Sequence, residues 1–78
     1  MHELAAAQDV VRAVLAAAEE QGAQSVNAIA LKVGSLYSAD HLQDLIAVAA
    51  QGTIAEGATV EVEAVPGSAI QVASIEIE

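Results

Sequence analysis

The period at which apolar residues recur changes along this chain, from about 3.6 to 2, and that change constrains its fold more than any other feature. Over residues 3–21 the positions Leu4, Ala7, Val11, Val14, Leu15 and Ala18 follow the i, i+3, i+4, i+7 spacing of an amphipathic helix. The run is Ala-rich, which favours helix further, and Gly22 is placed to end it just beyond the C-cap. Residues 25–33 alternate instead, with Ile29, Leu31 and Val33 on one face and Ala28, Ala30 and Lys32 on the other, which predicts a strand. Ser38 suits the N-cap of a second helix of about three turns, with Leu42, Leu45, Ile46 and Ala49 as its stripe before Gly52. After a loop at 52–57, residues 59–63 alternate valines inward with glutamates in water. Pro66-Gly67-Ser68 has turn chemistry, and residues 70–78 are again β-like, with a phase slip between Val72 and Ile75. Either a bulge near Ala73-Ser74 absorbs the slip or the last strand starts only after it. The order α-β-α-β-β predicts an α+β fold, two helices packed on one face of a three-stranded sheet.

A chain of 78 residues makes one domain, 1–78, and buries only about 60–65% of its unfolded surface. With 55% hydrophobic residues and a single aromatic, Tyr37, its core must be aliphatic, and Tyr37 is expected to pack locally. The net charge of −9 sets eleven acids against Arg12 and Lys32 alone, so no basic patch exists to neutralise phosphates. Nucleic acid and anionic membrane surfaces are excluded as partners, and solubility or a cationic partner is favoured. The absence of cysteine excludes disulfides, thiolate zinc sites, iron–sulfur clusters and thiol nucleophiles. Any metal must sit on nitrogen and oxygen. No apolar run approaches a membrane span and no signal-peptide pattern opens the chain, so the expected location is the cytoplasm.

Catalytic constellations are missing from the sequence. No G-x-S-x-G surrounds a serine, and neither a G-x-G-x-x-G nor a P-loop is present, so the chain is not expected to be an enzyme. Glu19-Glu20 oppose the dipole at the end of the first helix and read as a solvated face. His2 differs from these, because a histidine next to the terminal amine offers imidazole, amine and deprotonated amide nitrogens to one cation. Such nitrogen-rich tetragonal ligation suits Ni(II) or Cu(II). A lone terminal histidine can equally be an accident of sequence.

Several stretches together, in order and spacing, resemble the HypA/HybF family of hydrogenase nickel-insertion proteins. They are Met1-His2-Glu3-Leu4 before the Ala-rich helix, Leu31-Lys32-Val33-Gly34, Asp40 six residues later, residues 52–58, Val60-Glu61-Val62-Glu63 and Ser74-Ile75-Glu76-Ile77-Glu78. The resemblance implies the family's nickel-binding α+β fold and Ni(II) as transient cargo. It implies that His2 holds nickel through its side chain, with Met1 and Glu3 supplying backbone nitrogens and Asp40 an acidic side chain near the start of the second helix. It implies further that Glu3 takes part in docking a maturation GTPase. Asp40 would also stabilise its helix through the dipole, and both roles can hold at once. His41 beside it could be a further ligand, but on a polar helix face it reads as merely solvated and is not counted in the site. The family carries a four-cysteine zinc domain between its last two strands, whereas here a short turn around 65–70 joins them, so no zinc is expected.

Two functions are consistent with this reading: a nickel metallochaperone for maturation of an enzyme such as [NiFe] hydrogenase, and an interaction, scaffold or assembly module of the same descent that no longer transfers metal. Loss of the zinc domain favours the second. Retention of His2 followed by Glu3 favours the first. The expected partners are the maturation GTPase or the nickel enzyme under assembly. A homodimer or hetero-complex is expected through the second face of the strand 25–33, where Val26, Ala28 and Ala30 read as apolar.

Overall fold

The computed structural model describes residues 3–78, so Met1 and His2 lie outside the described residues. Helix α1 spans Glu3–Glu20, strand β1 Val26–Gly34, helix α2 Ala39–Ala49, strand β2 Thr59–Val65 and strand β3 Ile70–Ile77. The fold is α+β in the expected order α-β-α-β-β. One three-stranded mixed sheet has the order β2-β1-β3, with β2 parallel and β3 antiparallel to the central β1. A parallel pair needs a crossover, and α2 with the loop after it supplies one between β1 and β2.

Each helix ends for a readable reason. Gly22 takes φ 67°, Ala23 donates to the Ala18 carbonyl at 3.0 Å and Gly22 to that of Glu19 at 3.0 Å, the two bonds of a Schellman stop. At the start of α2, Ser38 is extended and its hydroxyl accepts from the His41 N–H at 3.3 Å. The loop that follows α2 is tied to the sheet by the Val26 N–H donating to the Ile54 carbonyl at 2.9 Å.

The core lies between the helices and one face of the sheet, α1 packing over β3 and α2 over β2. Its largest fully buried side chains are Ile29, Leu31 and Val33 of β1, Leu42 and Ile46 of α2, and Val14 of α1. Alanines 7, 18, 50 and 55 fill the remaining gaps. In α1 the buried stripe is Ala7, Val10, Val11, Val14 and Ala18, so Val10 takes a place expected for Leu4 and Leu15. On a helical projection Leu4 and Leu15 fall about 60–80° to one side of the line Ala7–Val14–Ala18, and Val10 falls on the other. Val10 lies beside Ile70 and Val72 of β3, whereas Leu15, beside Ala49 of α2, stays half-buried. Leu4 is left 48% exposed.

Two irregularities mark the antiparallel pair. The pairing skips Ala73 between Ala30↔Ser74 and Leu31↔Val72, so the phase slip is a bulge within one continuous strand. A second shift, between Val26↔Ile77 and Ala28↔Glu76, leaves Asn27 over. It turns Val26 to the helix side, where it is 2% exposed, and so removes Val26 from the open face on which the sequence placed it. Register then rims that face with polar groups: Ala28 stands between Thr59 and Glu76, Ala30 between Glu61 and Ser74, and Lys32 between Glu63 and Gln71. Along β1 the apolar side chains on that face are Ala28 and Ala30.

Candidate functional site

The N-termini of the two helices meet. Glu3 opens α1, and one of its carboxylate oxygens, Oε2, accepts from the Ser38 backbone N–H at 2.9 Å. The other, Oε1, lies 2.7 Å from Nδ1 of His41 in the first turn of α2. Glu3 thereby acts as a second cap on α2, at the end where four backbone N–H groups lack intrahelical partners and the dipole favours an anion. The Ser38 N–H first, and then the His41 ring, hold the Glu3 carboxyl below its ordinary value of 4.5.

Asp40 stands beside His41 in the same first turn and is exposed. Of the four residues singled out by the sequence, Met1 and His2 lie outside the described residues, while Glu3 is joined to the turn of chain that carries Asp40. His41, read from the sequence as solvated, makes the second contact to Glu3. Its ring is 58% exposed, so the reading was right about water and missed the partner. The pair is 38 residues apart in the chain, and the only local signal was the position of His41 next to Asp40.

Tyr37 precedes this turn, half-buried against the core as expected, and its N–H donates to the Gly34 carbonyl at 3.0 Å. That bond links the turn 34–38 to the end of β1. The connection between β2 and β3 runs close by, where the Gly34 N–H donates to the Ala69 carbonyl at 2.7 Å. The end of the molecule that bears Glu3, Asp40 and His41 is therefore held from three sides.

Among the described residues no group of three or more His, Asp or Glu side chains comes together to hold a metal ion. The donors present at this end are imidazole nitrogen and carboxylate oxygen, a set that borderline divalent cations accept. A closed cage would need further donors, and the residues that precede Glu3 in the chain, with an imidazole and amide nitrogens, have the chemistry to provide them. No helix among the described residues is long and apolar enough to cross a membrane.

Comparison with known proteins converges on one family. Residues 1–71 match the model of the family described as hydrogenase/urease nickel incorporation, metallochaperone, hypA. The chain is 42% identical over 64 residues to a hydrogenase maturation factor HypA of Archaeoglobus fulgidus, covering 80% of this chain and 58% of the relative. It is 40% identical over 65 residues to the HypA of Methanopyrus kandleri, covering 81% and 46%, and 40% identical over 68 residues to that of Chloroflexus aggregans, covering 85% and 60%. The chain thus spans roughly half the length of these relatives. With a family match over residues 1–71, nearly its whole length, the chain belongs to the HypA family.

Proposed function

We propose that this protein is a nickel carrier in the maturation of a nickel enzyme such as [NiFe] hydrogenase. The observation that supports this most directly is the family match beginning at residue 1, so that it includes Met1-His2-Glu3, together with the attachment of Glu3 to the first turn of α2 beside Asp40. His2 holds the ion through its imidazole and the neighbouring terminal nitrogens, Met1 and Glu3 contribute backbone nitrogens, and Asp40 offers a carboxylate from α2. A site of this kind is reached directly from solvent and releases its cargo without a cage having to open. Amide and imidazole nitrogens must lose protons to bind, so affinity falls as pH drops through the histidine range near about 6.5. The protein works in the cytoplasm, and its partners are the maturation GTPase and the enzyme that receives the metal.

Residues 66–69 join β2 to β3 as a short link, at the point where the resemblance would set a zinc module. This favours a second reading, an interaction or assembly module that keeps the nickel-binding unit 1–78 but has given up metal transfer. A nickel titration of the untagged protein beside His2→Ala, by calorimetry with visible absorbance, separates the two. A one-to-one complex of micromolar or better affinity, lost in the variant, supports the carrier. Equal and weak binding by both proteins overturns it in favour of the module.

A further inference from the structure

The second contact to Glu3 has the chemistry of a metal-ligating histidine. A carboxylate oxygen can only accept, and both oxygens of Glu3 are engaged, Oε2 by the Ser38 N–H and Oε1 by the His41 ring. The Nδ1 of His41 must therefore carry its proton toward Glu3. In the neutral imidazole this leaves Nε2 as the bare nitrogen, with its lone pair free. Metal-bound histidines show this arrangement repeatedly, one ring nitrogen donating to a carboxylate that orients the ring and raises the basicity of the other. The His41 ring is 58% exposed, so Nε2 has room for an incoming ion. Glu3, the residue that sets the tautomer, follows His2 directly and is itself the third residue of the proposed terminal chelate.

We infer that His41, through Nε2, is a further ligand for the ion carried at this end of the molecule, supplied by α2 and oriented by Glu3. The inference rests on the nickel-carrier reading. It extends the donor set beyond the terminus and Asp40, and it gives the ion an imidazole anchored on a helix rather than on the chain end. Binding needs no proton to leave His41 in its neutral form, because the nitrogen that binds already lacks one.

The discriminating variant is His41→Asn. The asparagine amide nitrogen occupies roughly the position of Nδ1 and can still donate to Glu3, while nothing replaces Nε2. Untagged wild type, His2→Ala and His41→Asn are titrated with Ni(II) alone, and the imidazoles around nickel are counted by X-ray absorption. Thermal melting followed by circular dichroism verifies that each variant is folded, and His41→Ser, which likewise puts nothing at the Nε2 position, serves in its place should His41→Asn fail to fold. The expected result is two imidazoles in wild type and one in His41→Asn, with affinity reduced at least about tenfold. An affinity and imidazole count equal to wild type in His41→Asn, with binding lost in His2→Ala, overturns the role of His41 and leaves the carrier reading intact. Weaker binding with the imidazole count unchanged also overturns it, since His41 then acts only through Glu3. A wild type that does not bind nickel, or a His2→Ala that binds as tightly, overturns the carrier reading and this inference with it.

Discussion

Gly34 and Gly67 approach so closely that a Cβ on Gly34 would collide with the Gly67 carbonyl oxygen and lie 2.8 Å from the Ser68 nitrogen. Both obstacles are backbone, so a side chain at Gly34 cannot be accommodated by a rotamer change. Gly34→Ala should therefore cost about 1–3 kcal/mol, the range for overpacking, by pushing the β2–β3 connection off the end of β1. Urea denaturation of the variant beside wild type measures it. A loss near zero would mean that the connection shifts freely.

Leu42 is fully buried near the start of α2, whereas Leu36 in the turn before it is 80% exposed. Leu42→Ala should lose about 2–5 kcal/mol through lost burial and an unfilled cavity. Leu36→Ala should change stability by no more than about 0.5 kcal/mol. A domain of this size has roughly 4–12 kcal/mol in total, so Leu42→Ala is expected to melt far lower or to be partly unfolded at room temperature. Similar midpoints for the two variants would contradict the burial described.

Acid should loosen the junction between the helices. The folded-state pKa of Glu3 lies below its ordinary value of 4.5, because the ionised form is held by the Ser38 N–H and the His41 ring. Its stabilising contribution is then complete above that ordinary value and is lost as pH falls through the lower folded value. Carboxyl chemical shifts followed by NMR should show Glu3 titrating below its ordinary value of 4.5. Glu3→Gln should be less stable than wild type at neutral pH, and the difference should shrink as the wild-type Glu3 carboxyl becomes protonated.

A residue added before Met1 should weaken nickel binding on the proposed reading, since the terminal amine leaves the chelate. Calorimetry of the protein with and without a Gly-Ser extension tests this. Equal affinity would place the ion elsewhere.

The elements were legible because their signals are local. The change of period marks where helix gives way to strand, and Gly22 stops α1 through the Schellman bonds that its positive φ allows. The slip between Val72 and Ile75 left a bulge or a late strand start open, and the pairing contains the bulge, at Ala73. The resemblance carried by Met1-His2-Glu3, Leu31-Lys32-Val33-Gly34 and the last strand named the family, and the match over residues 1–71 agrees.

What the sequence by itself determined is thus the order and type of the five elements, the aliphatic core and the family. The tertiary structure decided the rest. It set β1 between β2 and β3, chose Val10 over Leu4 for the buried side of α1, turned Val26 inward through the shift at Asn27, and brought His41 to Glu3. The physical reason is the range of the interactions. A periodic pattern is set by neighbours three or four residues apart in a helix and two apart in a strand. Which margin of a helix is covered, and which polar groups meet when two helix ends are packed side by side, depends on surfaces brought together from distant parts of the chain.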